Sequence, residues 1–197
     1  MARIAPIAAE SGGHAPDLQA LIDFVGYRPN ALFTMAKRPG LLEAVLAMVG
    51  VSIRGSGRLP EDFRFLIAAE ASRAAGCRYS AAHAAHAAAH AGMAEAKIAA
   101  LSGHESSPLF TPAERAALRL AASGGRMPAQ DSAATFAQGQ IHYDEDQLIE
   151  IVGIVALFGW FNRWNSLIGS DLEQEPGAFA ERIPWLHPDI FARQTDR

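Results

Sequence analysis

Apolar residues recur every three or four positions along most of this chain, the period of helices with one buried face. From Pro16, "PDLQALIDFVG" puts Leu18, Leu21, Ile22 and Val25 on one stripe that stops at Gly26. "RPNALFTMAKRPG" is short and has a proline near each end. "LLEAVLAMVGVSIRG" then carries Leu41, Val45, Met48 and Val49 together, until Gly55 and Gly57 break the pattern. Pro60 occupies a helix start, where its missing N–H costs nothing, and "EDFRFLIAAEASRAAG" runs on to Gly76, suited to a left-handed C-terminal turn. Cys77 therefore opens the next helix, which continues to about Gly92.

Further along, "MAEAKIAAL" is helical and Gly103 closes it. Thr111, Pro112 and Glu114 supply a cap, a proline and an early acid for a helix reaching about Ser123. A shorter segment covers Asp131 to Ala137. The last major helix begins near Asp144 and passes through "LIEIVGIVALFGWF". Apolar on nearly every side, it is expected to be the central, buried member. No hairpin dipeptide, sustained alternation or repeat of solenoid length interrupts this pattern. The chain reads as all-α: an arm over 1–15, one helical domain over 16–171, and a tail over 172–197. With three prolines and two short apolar anchors, the tail is expected to lie on the fold or on a neighbouring subunit.

Composition narrows the function classes. Half of the 197 residues are hydrophobic and 19% are charged, the balance of one packed domain rather than a disordered chain. A net charge of −4 argues against a nucleic-acid partner. The apolar run from Ile151 to Phe161 is too short to span a bilayer, and no signal peptide is evident at the N-terminus, so no membrane partner is expected. A lone cysteine excludes an intrachain disulfide and fits a reducing compartment, so a cytoplasmic location is expected. The apolar late helix and the tail suggest a homo-oligomer.

The chemistry-bearing stretch is "GCRYSAAHAAHAAAH", residues 76–90. In a first helical turn, unpaired N–H groups and the helix dipole favour an anion, so Cys77 is placed where a thiolate is stabilised. Ser80 and His83 follow at successive turns on the same side, within reach of a nucleophile, a hydroxyl and a general base acting together. The plain alternative is that Cys77 is a small buried hydrophobe. His83, His86 and His90 share one face and are weak metal candidates, because three ligands along one helix close a tetrahedron poorly. No metal or other cofactor is expected. Glu70 falls on the apolar stripe of its own helix, where a carboxylate is costly unless paired or protonated. It is a candidate partner for His83 or Cys77, or an acid that meets Arg73 or Arg78. Tyr79, His86, Asn162 and Arg163 are candidate pocket residues, the last two lying in "GWFNRWN".

Around "EASRAAGCRYSAAHAAHAAAHAG" the sequence resembles the carboxymuconolactone decarboxylase superfamily, specifically its alkyl hydroperoxidase D (AhpD)-like, peroxidase-related members. The resemblance extends from "RPNALFTMAKRPG" to "FGWFNRWNSLIGSDLE". It implies a bundle of about seven to nine helices assembled as trimers or hexamers. It also implies a redox site in which two cysteines of a C-x-x-C pair act with a histidine and an upstream glutamate. On that pattern Cys77 matches the first cysteine and His83 the histidine, three residues after position 80 where the best-known members have four. Ser80 stands where the second, peroxide-attacking cysteine belongs, through natural loss or an introduced substitution. A serine hydroxyl forms no disulfide, so a dithiol cycle cannot run. Phe65 occupies the usual relay-glutamate position, and Glu70 is the nearest substitute.

Three functions follow as expectations. The first is an antioxidant peroxidase that reduces alkyl hydroperoxides and is regenerated by an external thiol. The second is a cofactor-free acid–base enzyme, such as a decarboxylase, acting on a small lactone or carboxylic acid. The third is a non-catalytic oligomeric binding protein.

Overall fold

A computed structural model describes residues 2–8 and 18–195. The described residues form eleven α-helices and no strand. They are α1 (Leu18–Val25), α2 (Asn30–Met35), α3 (Leu41–Val49), α4 (Glu61–Ala74), α5 (Arg78–His90), α6 (Glu95–Ala99), α7 (Pro112–Gly125), α8 (Ser132–Gln140), α9 (Glu145–Ile168), α10 (Gln174–Arg182) and α11 (Pro188–Thr195). The all-α expectation holds. The helices outnumber the expected seven to nine because the C-terminal segment is itself helical.

Local signals placed most boundaries. Thr111 and Asp144 each close a capping box, with Glu114 and Gln147 as reciprocal partners, so α7 and α9 begin where cap chemistry predicts. Gly76, at φ +71°, makes the left-handed turn that separates α4 from α5 and leaves Cys77 as the N-cap of α5. The third helix continues past Val49 as one π-helical turn, Gly50–Arg54, and ends at Gly55, where the glycines were expected to break it.

The central helix is α4, not α9 as expected. From Phe63 to Ser72 every α4 residue is buried, and the helix packs against α5, α7 and α9. Two polar residues conceal this in the sequence. Arg64 donates to Gly55 O at 2.8 Å and faces Glu150, while Glu70 pairs with Arg73. By contrast α9 buries Leu148, Ile151, Ile154, Leu157 and Phe158 on one side, and exposes Ile149 (64%), Val152 and Leu167 (76%) on the other. Its 24 residues are long and apolar enough to cross a bilayer, but its inner face is part of the helical core.

Two apolar clusters result. The larger is built from α4, α5, α7, α9 and the C-terminal segment, and the smaller from α1, α2 and α3, with Tyr79, Trp160 and Trp164 against it. The described part of the C-terminal segment, residues 172–195, is largely helical. Its α10 packs on α5, and the buried Trp185 donates from Nε1 to Ile98 O at 2.8 Å. Of the N-terminal arm, residues 2–8 run beside the end of α9, with Arg3 N donating to Ile168 O at 2.7 Å; residues 9–17 lie outside the described region.

Candidate active site

The seam between the two clusters holds a cavity of about 600 Å³. Leu21, Val25, Leu32 and Leu46 wall one side, and Phe65, Phe158 and Phe161 the other. Its polar atoms come mainly from α5, whose Tyr79, Ser80, His83, His86 and His90 all reach it, together with Tyr27 from the α1–α2 link.

A chain of hydrogen bonds runs back from this cavity into the fold. Tyr27 Oη lies 2.9 Å from His83 Nδ1, and His83 Nε2 lies 2.7 Å from Glu173 Oε2. Glu173 is buried, and its other oxygen accepts from Tyr79 Oη at 2.7 Å and from the Asn30 backbone N–H. Burial alone would raise the Glu173 carboxyl, but the His83 and Tyr79 hydrogen bonds outweigh it and hold the group below the usual carboxylate range. An ionised Glu173 only accepts, so His83 carries its proton on Nε2 and Nδ1 accepts from Tyr27. Burial, with the Glu173 charge adding to it, pushes the Tyr27 and Tyr79 phenols well above 10, so both keep their protons at neutral pH.

Cys77 is 4% exposed and sits immediately behind Ser80, its Sγ 3.3 Å from Ser80 Oγ. Ser80 Oγ also accepts from Asn165 Nδ2 at 3.1 Å, and Asn165 Oδ1 accepts from Ser170 Oγ at 2.8 Å. Ser80 and Asn165 line the cavity, whereas Cys77 forms the layer beneath.

Cys77, Ser80, His83, Tyr79 and His86 are thus gathered at one place. Glu70 is not. It is fully buried in a bidentate pair with Arg73, at 2.6 and 2.8 Å, and borders a separate, smaller cavity with His104 and Arg119. The carboxylate beside His83 is Glu173, 90 positions away in sequence. Asn162 is buried and Arg163 is exposed, donating to Gly159 O; neither borders the cavity, and the polar late-helix residue that does is Asn165. Tyr27 and Glu173 went unpredicted because each lies in a short segment between helices with no motif around it. Glu173 carried one signal, an acid immediately before a helix start.

His86 and His90 face each other, Nε2 to Nε2 at 3.0 Å, while His83 is turned to Tyr27 and Glu173. Burial and the neighbouring histidines lower His86 to about 4, so it is neutral at pH 7. Among the described residues no three His, Cys, Asp or Glu side chains converge as a metal site.

An all-helical bundle with Cys77 at the α4–α5 turn and the polar cavity residues along α5 is an AhpD-like fold. The model of the carboxymuconolactone decarboxylase family matches residues 39–123, and the chain belongs to that family. It is 30% identical to the debrominase Bmp8, with a TM-score of 0.83, over 92% of this chain and 97% of that one. A cysteine-to-alanine form of Bmp8 in complex with 2,3,4-tribromopyrrole superimposes equally well, at 29% identity and a TM-score of 0.84 over the same shares. An uncharacterized peroxidase-related protein from Ralstonia eutropha JMP134, described as an alkylhydroperoxidase AhpD core, shares the fold: 22% identity and a TM-score of 0.75, over 88% of this chain and 94% of that one. No curated protein matched the sequence.

Proposed function

We propose that this chain is a single-thiol oxidoreductase in which Cys77 removes an electrophilic atom from a small ring-shaped substrate while Tyr27, held by His83 and Glu173, supplies a proton. The observation that carries this reading is that Ser80, bonded to Cys77, borders the same largely apolar cavity as Tyr27 and His83 of the hydrogen-bonded chain. The likeness to a debrominase supports it, as does the complex of a cysteine-to-alanine form of that protein with a brominated pyrrole. Aromatic walls formed by Tyr27, Phe65, Tyr79, Phe158 and Phe161 suit a flat ring better than a flexible alkyl hydroperoxide.

Written for a brominated ring, Tyr27 gives its proton to the carbon bearing bromine, and a proton from solvent then restores the phenol that His83 Nδ1 orients. The Cys77 thiolate then takes bromine from that carbon, and the C–Br electron pair stays with the ring. The products are the debrominated ring and a sulfenyl bromide on Cys77. One external thiol displaces bromide to give a mixed disulfide, and a second releases the free Cys77 thiol and an external disulfide. The same residues reduce a hydroperoxide if oxygen is the atom transferred: the thiolate becomes a sulfenic acid, and the leaving alkoxide takes the proton. Only one cysteine is needed in either case, because the external thiol resolves the intermediate. Such a reductant belongs to a reducing, cytoplasmic setting, and the exposed apolar side of α9 is the surface through which we propose self-association.

A second reading is favoured by one observation, that Cys77 lies beneath the cavity wall rather than in it. It is cofactor-free acid–base catalysis, such as decarboxylation of a small lactone or carboxylic acid, through Tyr27 and His83 alone. Cys77→Ala separates the two. Turnover of brominated pyrroles or phenols, or of cumene hydroperoxide, with dithiothreitol as donor should vanish in this variant. Undiminished turnover in Cys77→Ala sinks the thiol mechanism.

A further inference from the structure

We infer that Ser80, aimed by Asn165 and Ser170, is the proton gate of the Cys77 thiol. This deepens the thiol reading of the site: position 80 carries a working hydroxyl rather than the remnant of a lost cysteine.

A hydroxyl has one proton to donate and two lone pairs to accept with. Ser170 Oγ donates to Asn165 Oδ1, which fixes the amide so that Nδ2 points at Ser80. One Ser80 lone pair is therefore committed to Asn165. With Cys77 as a thiol, Sγ–H donates to the second lone pair, and the Ser80 proton is left to point into the cavity that Ser80 lines. Ionisation reverses this order. The Sγ–H bond breaks as its proton bonds to Ser80 Oγ, and the hydroxyl's original proton passes to a cavity water and on to solvent buffer. The new O–H then donates to the thiolate. Because Asn165 holds the oxygen from the other side, the hydroxyl has two states, and both involve the sulfur.

This arrangement explains how a buried thiol communicates with a cavity it does not border. A donor that follows the sulfur stabilises the anion more than a neutral contact does, since hydrogen bonds to charged groups are about twice as strong. Asn165 and Ser170 act on the sulfur only through Ser80, so toward the thiol they are positioning residues. Nothing in the Cys77 sequence context marked them, because they lie at the end of α9 and just beyond it.

The test follows the rate of alkylation of the single cysteine by iodoacetamide between pH 5 and 10, which requires no substrate and no turnover. Ser80→Ala should slow alkylation at pH 7 about tenfold and move the midpoint of its pH profile up by about one unit. Ser80→Thr, which keeps the hydroxyl, should restore the native profile. Ser170→Ala frees the amide to rotate and should produce a smaller shift in the same direction. Asn165→Asp turns the partner into an acceptor that competes for the Ser80 proton, and should shift the profile at least as far as Ser80→Ala. Thermal melts identify any variant that has lost its fold, and Ser170→Ala, a single hydroxyl deletion, then stands in for it. A Ser80→Ala profile that coincides with the native one overturns the proposal, as does equal slowing by Ser80→Thr. Loss of the thiol mechanism itself would appear separately, as turnover that survives Cys77→Ala.

Discussion

Glu173 and His83, 90 positions apart, meet at 2.7 Å inside the fold. The carboxylate enters from the link before α10, and the imidazole from the middle of α5. Their contact completes the hydrogen-bonded chain to Tyr27 and ties the C-terminal segment to α5. Glu173→Gln keeps the shape but removes the anion that holds the imidazole in one tautomer. We expect kcat to fall on the order of 10² to 10³, with a smaller change in KM, in steady-state assays with the thiol donor. Acid stability should change as well. Glu173 is held below its ordinary range, so its contribution to stability is present above the unfolded carboxyl value and is lost as pH falls through the folded one. The variant should show a flatter acid limb in equilibrium unfolding.

Tyr27 is the cavity-facing end of the relay. Tyr27→Phe leaves the aromatic wall intact and removes only the proton. Ring debromination needs that proton at carbon, so we expect its rate to drop about 10² or more. Hydroperoxide reduction can draw a proton for its alkoxide from water and should lose less. Measuring both activities in one variant identifies the atom that Cys77 takes.

His86 makes stability pH-dependent near neutrality. Its pKa falls from 6.5 to about 4 on folding, so the unfolded chain binds a proton below about pH 6.5 that the folded chain refuses until about 4. The stabilising term is complete above pH 6.5 and drains away through that window. Denaturant midpoints should decline from pH 6.5 to 4, and His86→Gln should reduce the slope. An unchanged slope would mean that other groups dominate the window.

Trp185 anchors the segment that carries Glu173. Trp185→Ala deletes a buried indole and its hydrogen bond to Ile98 O, a loss of about 3–5 kcal/mol in chemical denaturation. If the anchor also positions Glu173, kcat should fall in the folded variant although Trp185 lies outside the cavity.

Gly125 tests the central packing of α4. A Cβ placed there would stand 2.3 Å from Ala71 O, so α7 approaches the α4 backbone more closely than any side chain permits. Gly125→Ala should cost about 1–3 kcal/mol despite the better helix propensity of alanine, as thermal unfolding would show.

Helix positions were legible because caps, glycines and apolar stripes are local. Gly76, Thr111 and Asp144 act through neighbours within four residues, and each did what its type dictates. The placing of Cys77, Ser80 and His83 on one side of α5 was legible for the same reason, since helical geometry alone puts them there. The choice of central helix was not. α4 hides its burial behind Arg64 and Glu70, whose partners lie in other turns and helices or along its own surface, while the apolar side of α9 remains exposed on this chain.

By itself, then, the sequence determined an all-helical chain with a thiol at the head of α5, a hydroxyl one turn on and an imidazole one turn further. Tertiary structure alone decided which carboxylate serves that imidazole. Glu70 and Glu173 are equally acidic as residues, but a helix fixes where a side chain points relative to its own axis and says nothing of what packs opposite. Packing α10 on α5 put Glu173 within 2.7 Å of His83, and the Arg73 pair kept Glu70 away.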